Sequence, residues 1–168
     1  MDAIAVLTEA CSRIPDTVRR AVDGLSPEQL VEAPAPGANT IGWLVWHLAR
    51  GQDAQIADAA GTEQVYLSDG WAARFGLEAD ASDTGYGHDP DDVRAVRPES
   101  ADALLGYLDA VHAATLRYLG TLTDADLDRV VDDAWDPPVT LGVRLVSIID
   151  DDVQHAGQAA YARGLLGS

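Results

Sequence analysis

Residues 147–160 read "SIIDDDVQHAGQAA", and the fold turns on how this stretch is read. Three aspartates, Asp150, Asp151 and Asp152, interrupt an otherwise apolar segment, and His155 follows. Asp is a poor helix-interior residue because its carboxylate competes for backbone hydrogen bonds. A buried carboxylate is also costly unless it is paired or bound to a cation. The flanks nevertheless carry the signals of one long helix. Thr140 is a good N-cap and Gly164 a stop signal, which predicts a helix from Thr140 to about residue 163. That helix is apolar on most sides, so at least one acid should point inward, where it needs a partner. Asp150 is expected to face away.

Working outward, three more helical stretches appear between Pro- and Gly-marked connections. The first covers roughly 2–23, with Ile4, Val6, Leu7, Ile14, Val18 and Val22 at helical spacing and a kink expected at Pro15. In "LSPEQL", Ser26, Pro27 and Gln29 form the pattern of a capped helical turn. The second helix should begin near Asn39 or Thr40, carry "IGWLVWHLARGQDAQIADAA" and end at Gly61. Residues 62–98 read as a long crossover with short helical pieces. The third helix is expected over about 99–121. The β-like runs "QVYL" and "DRVVDD" are short and lack an alternating partner. The expectation is an all-α chain: one domain over 1–168, a four-helix bundle with a long crossover between helices 2 and 3.

Composition narrows the function classes. The 168 residues include 28 acids against 11 bases, a net charge of −17. Such a field repels phosphate backbones and anionic membrane surfaces, so neither nucleic acid nor membrane is an expected partner. No apolar run reaches the ~18–20 residues that span a bilayer. The N-terminal stretch lacks the basic and apolar regions of a secretory signal, which makes a cytoplasmic location the expectation. Cys11 is the only cysteine, so no intrachain disulfide or CxxC metal knuckle is available. It reads as a small buried apolar residue.

Chemistry concentrates on the histidines. His47 lies within "WLVWHLA" on the second helix, and His155 lies four residues after Asp151 on the fourth. Side chains at i and i+4 share a helix face, the spacing by which one helix offers two ligands to one ion. A third ligand must come from elsewhere, and His47 is the best candidate. The plainer reading is an ordinary hydrogen-bonded pair, because D-x-x-x-H alone is a weak signal. Asp152, three residues before His155, is the alternative carboxylate. Gln158, one turn beyond His155, is placed to orient a ligand or to bond a neighbouring helix. Arg50 and Arg144 could clamp a carboxylate-bearing substrate, though in so acidic a chain a structural ion pair is the plainer role. Tyr86 and His88, in "DTGYGHDP", could rim a pocket or simply pack the loop. Trp43 and Trp46 should pack the core or wall a pocket, and His112 should be a partly exposed helix residue. No GxSxG, P-loop, dinucleotide fingerprint or HExxH is present.

Taken together, "LSPEQL", "APGANTIGWLVWHLARGQD", "GWAARFGL", "TGYGH" and "DDVQHAGQAAYARGLL" resemble the DinB superfamily over essentially the whole chain. The resemblance implies a four-helix bundle holding a divalent metal through a helix-2 histidine and two last-helix residues at i, i+4. Carried over, the ligands are His47, Asp151 and His155. Many members have histidine where this chain has Asp151. A carboxylate there is similar to the mycothiol-dependent maleylpyruvate isomerase and thiol S-transferase branch, which uses glutamate, one methylene longer.

The resemblance implies zinc, with nickel second, and a low-molecular-weight thiol such as mycothiol as cosubstrate to a small electrophile. The expected activity is S-transfer or isomerisation. The competing classes are a non-catalytic metal- or ligand-binding bundle and a metal-dependent hydrolase. Bundles of this kind often pair, so a homodimer is among the expected partners.

Overall fold

The computed structural model describes residues 1–167, and helix dominates it. In chain order the helices are α1 (Ala3–Ser12), α2 (Ile14–Val22), α3 (Pro27–Leu30), α4 (Ile41–Ala60), α5 (Val65–Ser68), α6 (Pro90–Ala95), α7 (Ala101–Leu119) and α8 (Leu141–Leu166). Short 3-10 turns cover Trp71–Phe75 and Asp124–Asp128. No helix among the described residues is long and apolar enough to cross a membrane.

The starts follow capping chemistry. Asp2, Ser26, Thr40, Asp89, Ser100 and Thr140 each accept a backbone N–H in the first turn of their helix. Such a cap is worth about 1 kcal/mol. Ser26 and Gln29 close the expected capping box around α3.

Three boundaries differ from the sequence expectation. The first stretch breaks into α1 and α2 at Arg13, with Pro15 in the first turn of α2, where its missing N–H is harmless. α8 runs through Gly164 to Leu166 and takes its left-handed cap at Gly167 (φ +70°). A glycine inside a helix is a weak stop when the next turn still has packing to gain. Residues Val130–Asp132 form β1, paired antiparallel with β2 (Val139–Thr140). The partner strand is two residues long, too short to show an alternating pattern.

α4 is the central element. Every residue from Ile41 to Asp53 is buried. It packs on α8 and α7, and α2 packs on the same two helices. The main core gathers Val18, Leu30, Trp46, Leu48, Leu104 and Tyr107. A second cluster holds Cys11, Ile56, Leu119, Leu141 and Ile148. Each large apolar side chain buried contributes about 1.5–3 kcal/mol. Enclosure has a price for polar residues: His47, Arg50, Gln52 and Asp53 lie in this stretch and must find partners inside the protein.

Candidate metal centre

Two helices bring three ligand-type side chains together. α4 supplies His47, and α8 supplies Asp151 and His155 one turn apart. One donor atom from each lies within 4.8 Å of the other two. The His155 Nε2–Asp151 Oδ1 separation is 3.4 Å, and the two imidazole rings meet edge to face at 4.8 Å. A hydrogen bond to a carboxylate closes to roughly 2.7–2.9 Å. By contrast, an ion held tetrahedrally at ~2.0–2.2 Å sets its ligand atoms roughly 3.4 Å apart. The His155–Asp151 spacing thus matches a coordination edge better than a closed ion pair. Two imidazole nitrogens and one carboxylate oxygen are a donor set suited to zinc and to other first-row divalent ions.

Both histidines have their other ring nitrogen occupied. His47 Nδ1 lies 2.5 Å from the Thr84 carbonyl oxygen, which can only accept. The hydrogen therefore sits on Nδ1, and Nε2 keeps its lone pair. His155 Nδ1 donates to Gln158 Oε1 at 2.8 Å, so its Nε2 is likewise the free nitrogen. Orienting partners of this kind set the tautomer and ring angle of metal-binding histidines. Titration separates the two rings, since His155 is held toward the protonated form whose Nε2 hydrogen a cation must displace. Burial, above all, pushes His47 down from the ordinary histidine range. The Asp151 carboxylate draws His155 up, and His155 in turn holds Asp151 down.

An aromatic wall encloses one side. Trp43 stacks on His47 at 4.6 Å and 14° and stands edge-on to His155 at 6.3 Å. Its indole N–H donates to His88 Nδ1 at 3.1 Å, and His88 Nε2–H donates to Asp83 Oδ1 at 2.9 Å. Asp83 Oδ1 also accepts the Gly85 N–H at 3.1 Å. Gly85 has φ +87°, and a Cβ there would lie 2.8 Å from His47 Nδ1 and 2.9 Å from the Trp46 ring. Only glycine lets the backbone run this close.

The three acids of the opening stretch have three environments. Asp150 is exposed and accepts a hydrogen bond from Gln154. Asp151 joins the histidines. Asp152, the alternative ligand, turns into the core instead: it is 1 % exposed, and neither carboxyl oxygen has a hydrogen-bond partner. Burial first, and then Asp151, raise its pKa well above the carboxylate range, so its neutral form is favoured. An inward acid was expected, but not one left without a partner.

Other candidates are placed elsewhere. Arg50 is fully buried, and its donors are taken by loop carbonyls and Tyr107, which removes it as a substrate clamp. Arg144 lies 3.4 Å from both Asp58 and Asp132, a structural role. Tyr86 is 94 % exposed and lines neither of the two clefts beside the site. His88 meets the site through Trp43 and, by way of Asp83, through the turn that carries Thr84. His112 is partly buried, as expected. Sequence reasoning missed Thr84, Asp83 and Gly85. The glycine-flanked "DTGYG" was the only available signal, and the Thr84 group that matters is a main-chain carbonyl.

Two clefts flank the site and share Gly37, Ala38 and Asn39. One, of about 490 Å³, reaches His88; the other, of about 390 Å³, reaches Gln158 and is floored by Leu44. A further cleft of about 500 Å³ between α4, α5 and α7 does not include the histidines.

No curated protein matches the chain. A solved structure described as "the conserved protein of locus from Enterococcus faecalis" is 33 % identical and superposes with a TM-score of 0.91 over 100 % of this chain and 99 % of its own. The family model of the DinB superfamily matches residues 10–159, a span that includes His47, Asp151 and His155, and this chain belongs to the DinB superfamily.

Proposed function

We propose that this protein is a divalent-metal-dependent enzyme that activates a low-molecular-weight thiol, of the mycothiol type, for S-transfer to a small electrophile or for its isomerisation. The architecture reads as a four-helix bundle of α1/α2, α4, α7 and α8, with residues 61–100 as the crossover. His47, Asp151 and His155 are the proposed ligands, and zinc is the proposed ion. The cytoplasm, where small thiols are kept reduced, is the proposed location.

The observation that carries the reading is the donor set: two imidazoles with their second nitrogens occupied and one carboxylate, converging within 4.8 Å. A dication among two neutral imidazoles and one carboxylate leaves a net charge near +1, which favours an anionic partner. When bound, such an ion stabilises a thiolate at neutral pH. The protein's own groups do the rest. Trp43 covers one face of His47 and excludes water there, and the cleft beside Gln158 offers an uncharged approach. In S-transfer the thiol proton leaves to solvent and sulfur bonds the electrophilic carbon, while the electrophile's leaving group takes the displaced electron pair.

Elemental analysis of the purified protein, followed by single-turnover thiol consumption with a reactive electrophile, tests the proposal. Metal-loaded protein should consume thiol; chelated protein and His47→Ala should not. Metal retention with no thiol chemistry across a broad electrophile panel would leave a binding module. Activity without any thiol would make the protein a hydrolase.

A further inference from the structure

Arg50 lies one turn past His47 on α4, with its side chain fully enclosed. Its Nε donates to the Asp83 carbonyl at 3.0 Å, and its Nη2 to the Ala81 and Asp80 carbonyls at 3.2 and 3.4 Å. These carbonyls belong to the turn that immediately precedes Thr84, whose own carbonyl takes the His47 Nδ1 hydrogen. The guanidinium is itself fixed from behind. Asp53 Oδ2 lies 3.6 Å from Nη1, and the Tyr66 ring lies 4.1 Å from the guanidinium carbon. Asp53 in turn accepts the Val65 and Tyr66 N–H groups at 2.9 and 2.8 Å and the Tyr107 hydroxyl at 2.8 Å.

We propose that Arg50 is a positioning residue for the His47–Asp151–His155 cluster, acting through residues 80–85 of the crossover. The planar guanidinium, with its fixed fork of donors, holds the turn so that Thr84 presents its carbonyl to His47. A neutral imidazole carries its hydrogen on one nitrogen or the other. Where Thr84 is withdrawn, nothing keeps that hydrogen on Nδ1, and a hydrogen on Nε2 blocks the nitrogen that faces the cluster. Loop docking and cation binding are then linked, and by reciprocity a bound cation favours the docked loop. The tautomer half of this proposal is a property of the polypeptide alone; the linkage half rests on the metal reading above.

The test uses full-length protein and zinc as the probe. Long-range 15N–1H spectra of the metal-free protein report the His47 tautomer, and competition with a chelator reports zinc affinity. The wild type should show hydrogen on Nδ1, and zinc should slow amide exchange across residues 80–88. Arg50→Lys and Asp83→Ala touch no ligand. Each should shift the His47 signals toward a tautomer mixture and weaken zinc binding about 10- to 100-fold, the effect typical of lost orienting partners. If the buried Arg50→Lys variant does not fold, the wild type decides: hydrogen on His47 Nε2, or exchange across residues 80–88 that zinc leaves unchanged, overturns the proposal. Variants that lose only thermal stability, while the His47 signature and zinc affinity stay within twofold, overturn the proposal. A wild type that binds no zinc removes the metal reading, and the tautomer spectra then decide the positioning claim by themselves.

Discussion

At Arg50 and Asp53, α4 buries two charged side chains whose polar atoms are met by the other side chain, by loop backbone or by Tyr107. One turn earlier, at His47, the same helix buries an imidazole with one nitrogen bonded and the other aimed at a neighbouring histidine and carboxylate. Both regions contain paired charges or titratable groups, yet they differ in closure. The Arg50 region is saturated and sealed, and burial above all holds the Tyr107 hydroxyl protonated. The His47 region is partly open, convergent and unsaturated: the Asp151 side chain is 45 % exposed, and its contact with His155 is too long for a tight ion pair. A saturated cluster serves the fold. Donor atoms that converge without satisfying one another are what a ligand requires.

The largest effect should come from breaking the sealed region. Asp53→Ala leaves the Arg50 guanidinium buried without its carboxylate and strands the Val65 and Tyr66 N–H groups. Removing one partner of a buried pair destabilises by about 3–5 kcal/mol. Urea unfolding should show that loss in the midpoint. A change under 1 kcal/mol would mean that the cluster is far less enclosed than its geometry indicates.

Breaking the open region should do the reverse. His155→Ala removes a proposed ligand from a side chain that is not fully buried. Zinc affinity should fall by more than the ~10–100-fold that loss of an orienting partner produces. Stability of the metal-free protein should move by under about 1 kcal/mol. A chelator-competition titration beside a urea curve separates the two effects. If stability falls sharply and zinc affinity does not, the cluster is structural.

How much of this contrast could be read beforehand depends on which atoms carry it. The helices were legible because caps and apolar periodicity are local, and the Asp151–His155 pair was legible because i, i+4 spacing survives in one dimension, whereas joining His47 to it leaned on the family resemblance. Arg50 was ambiguous: its chemistry suits a clamp equally well, and only three-dimensional burial decides that loop carbonyls take its donors. Thr84 was out of reach, because a main-chain carbonyl has no residue-type signature. The acid run was half legible. Its periodicity required one inward carboxylate, but not which of Asp151 and Asp152 would meet the histidines.

Asp152 sharpens the comparison within α8 itself. Its folded-state pKa lies well above its unfolded value, so the unfolded chain ionises first as pH rises. The contribution of this group to stability is fully present below about pH 4 and is lost as pH climbs through the folded pKa. Asp152→Asn keeps the shape and removes the ionisation, so it should stabilise the protein at pH 7 relative to the wild type. The advantage should vanish near pH 3. Zinc affinity should stay within a few-fold, whereas Asp151→Asn should lower it strongly. Equal losses of affinity in the two variants would erase the distinction between the neighbouring acids.

The smallest change bears on the open region's edge. Gln158 Oε1 accepts from His155 Nδ1 at 2.8 Å, one turn along α8, and the contact is exposed to solvent. Gln158→Ala lets water replace the amide, so the ring keeps a partner but loses a fixed one. Zinc affinity should drop about tenfold, the low end for such partners. Gln158→Glu offers the same acceptor with a negative charge, which makes His155 Nε2 a stronger donor to a cation. Zinc affinity should then rise while Ala lowers it. A structural hydrogen bond gives no reason for opposite signs, since both replacements would perturb the helix surface alike. Opposite signs in zinc titration, with unfolding midpoints unchanged within about 0.5 kcal/mol, would mark Gln158 as part of the metal's environment. Equal signs would return it to the surface.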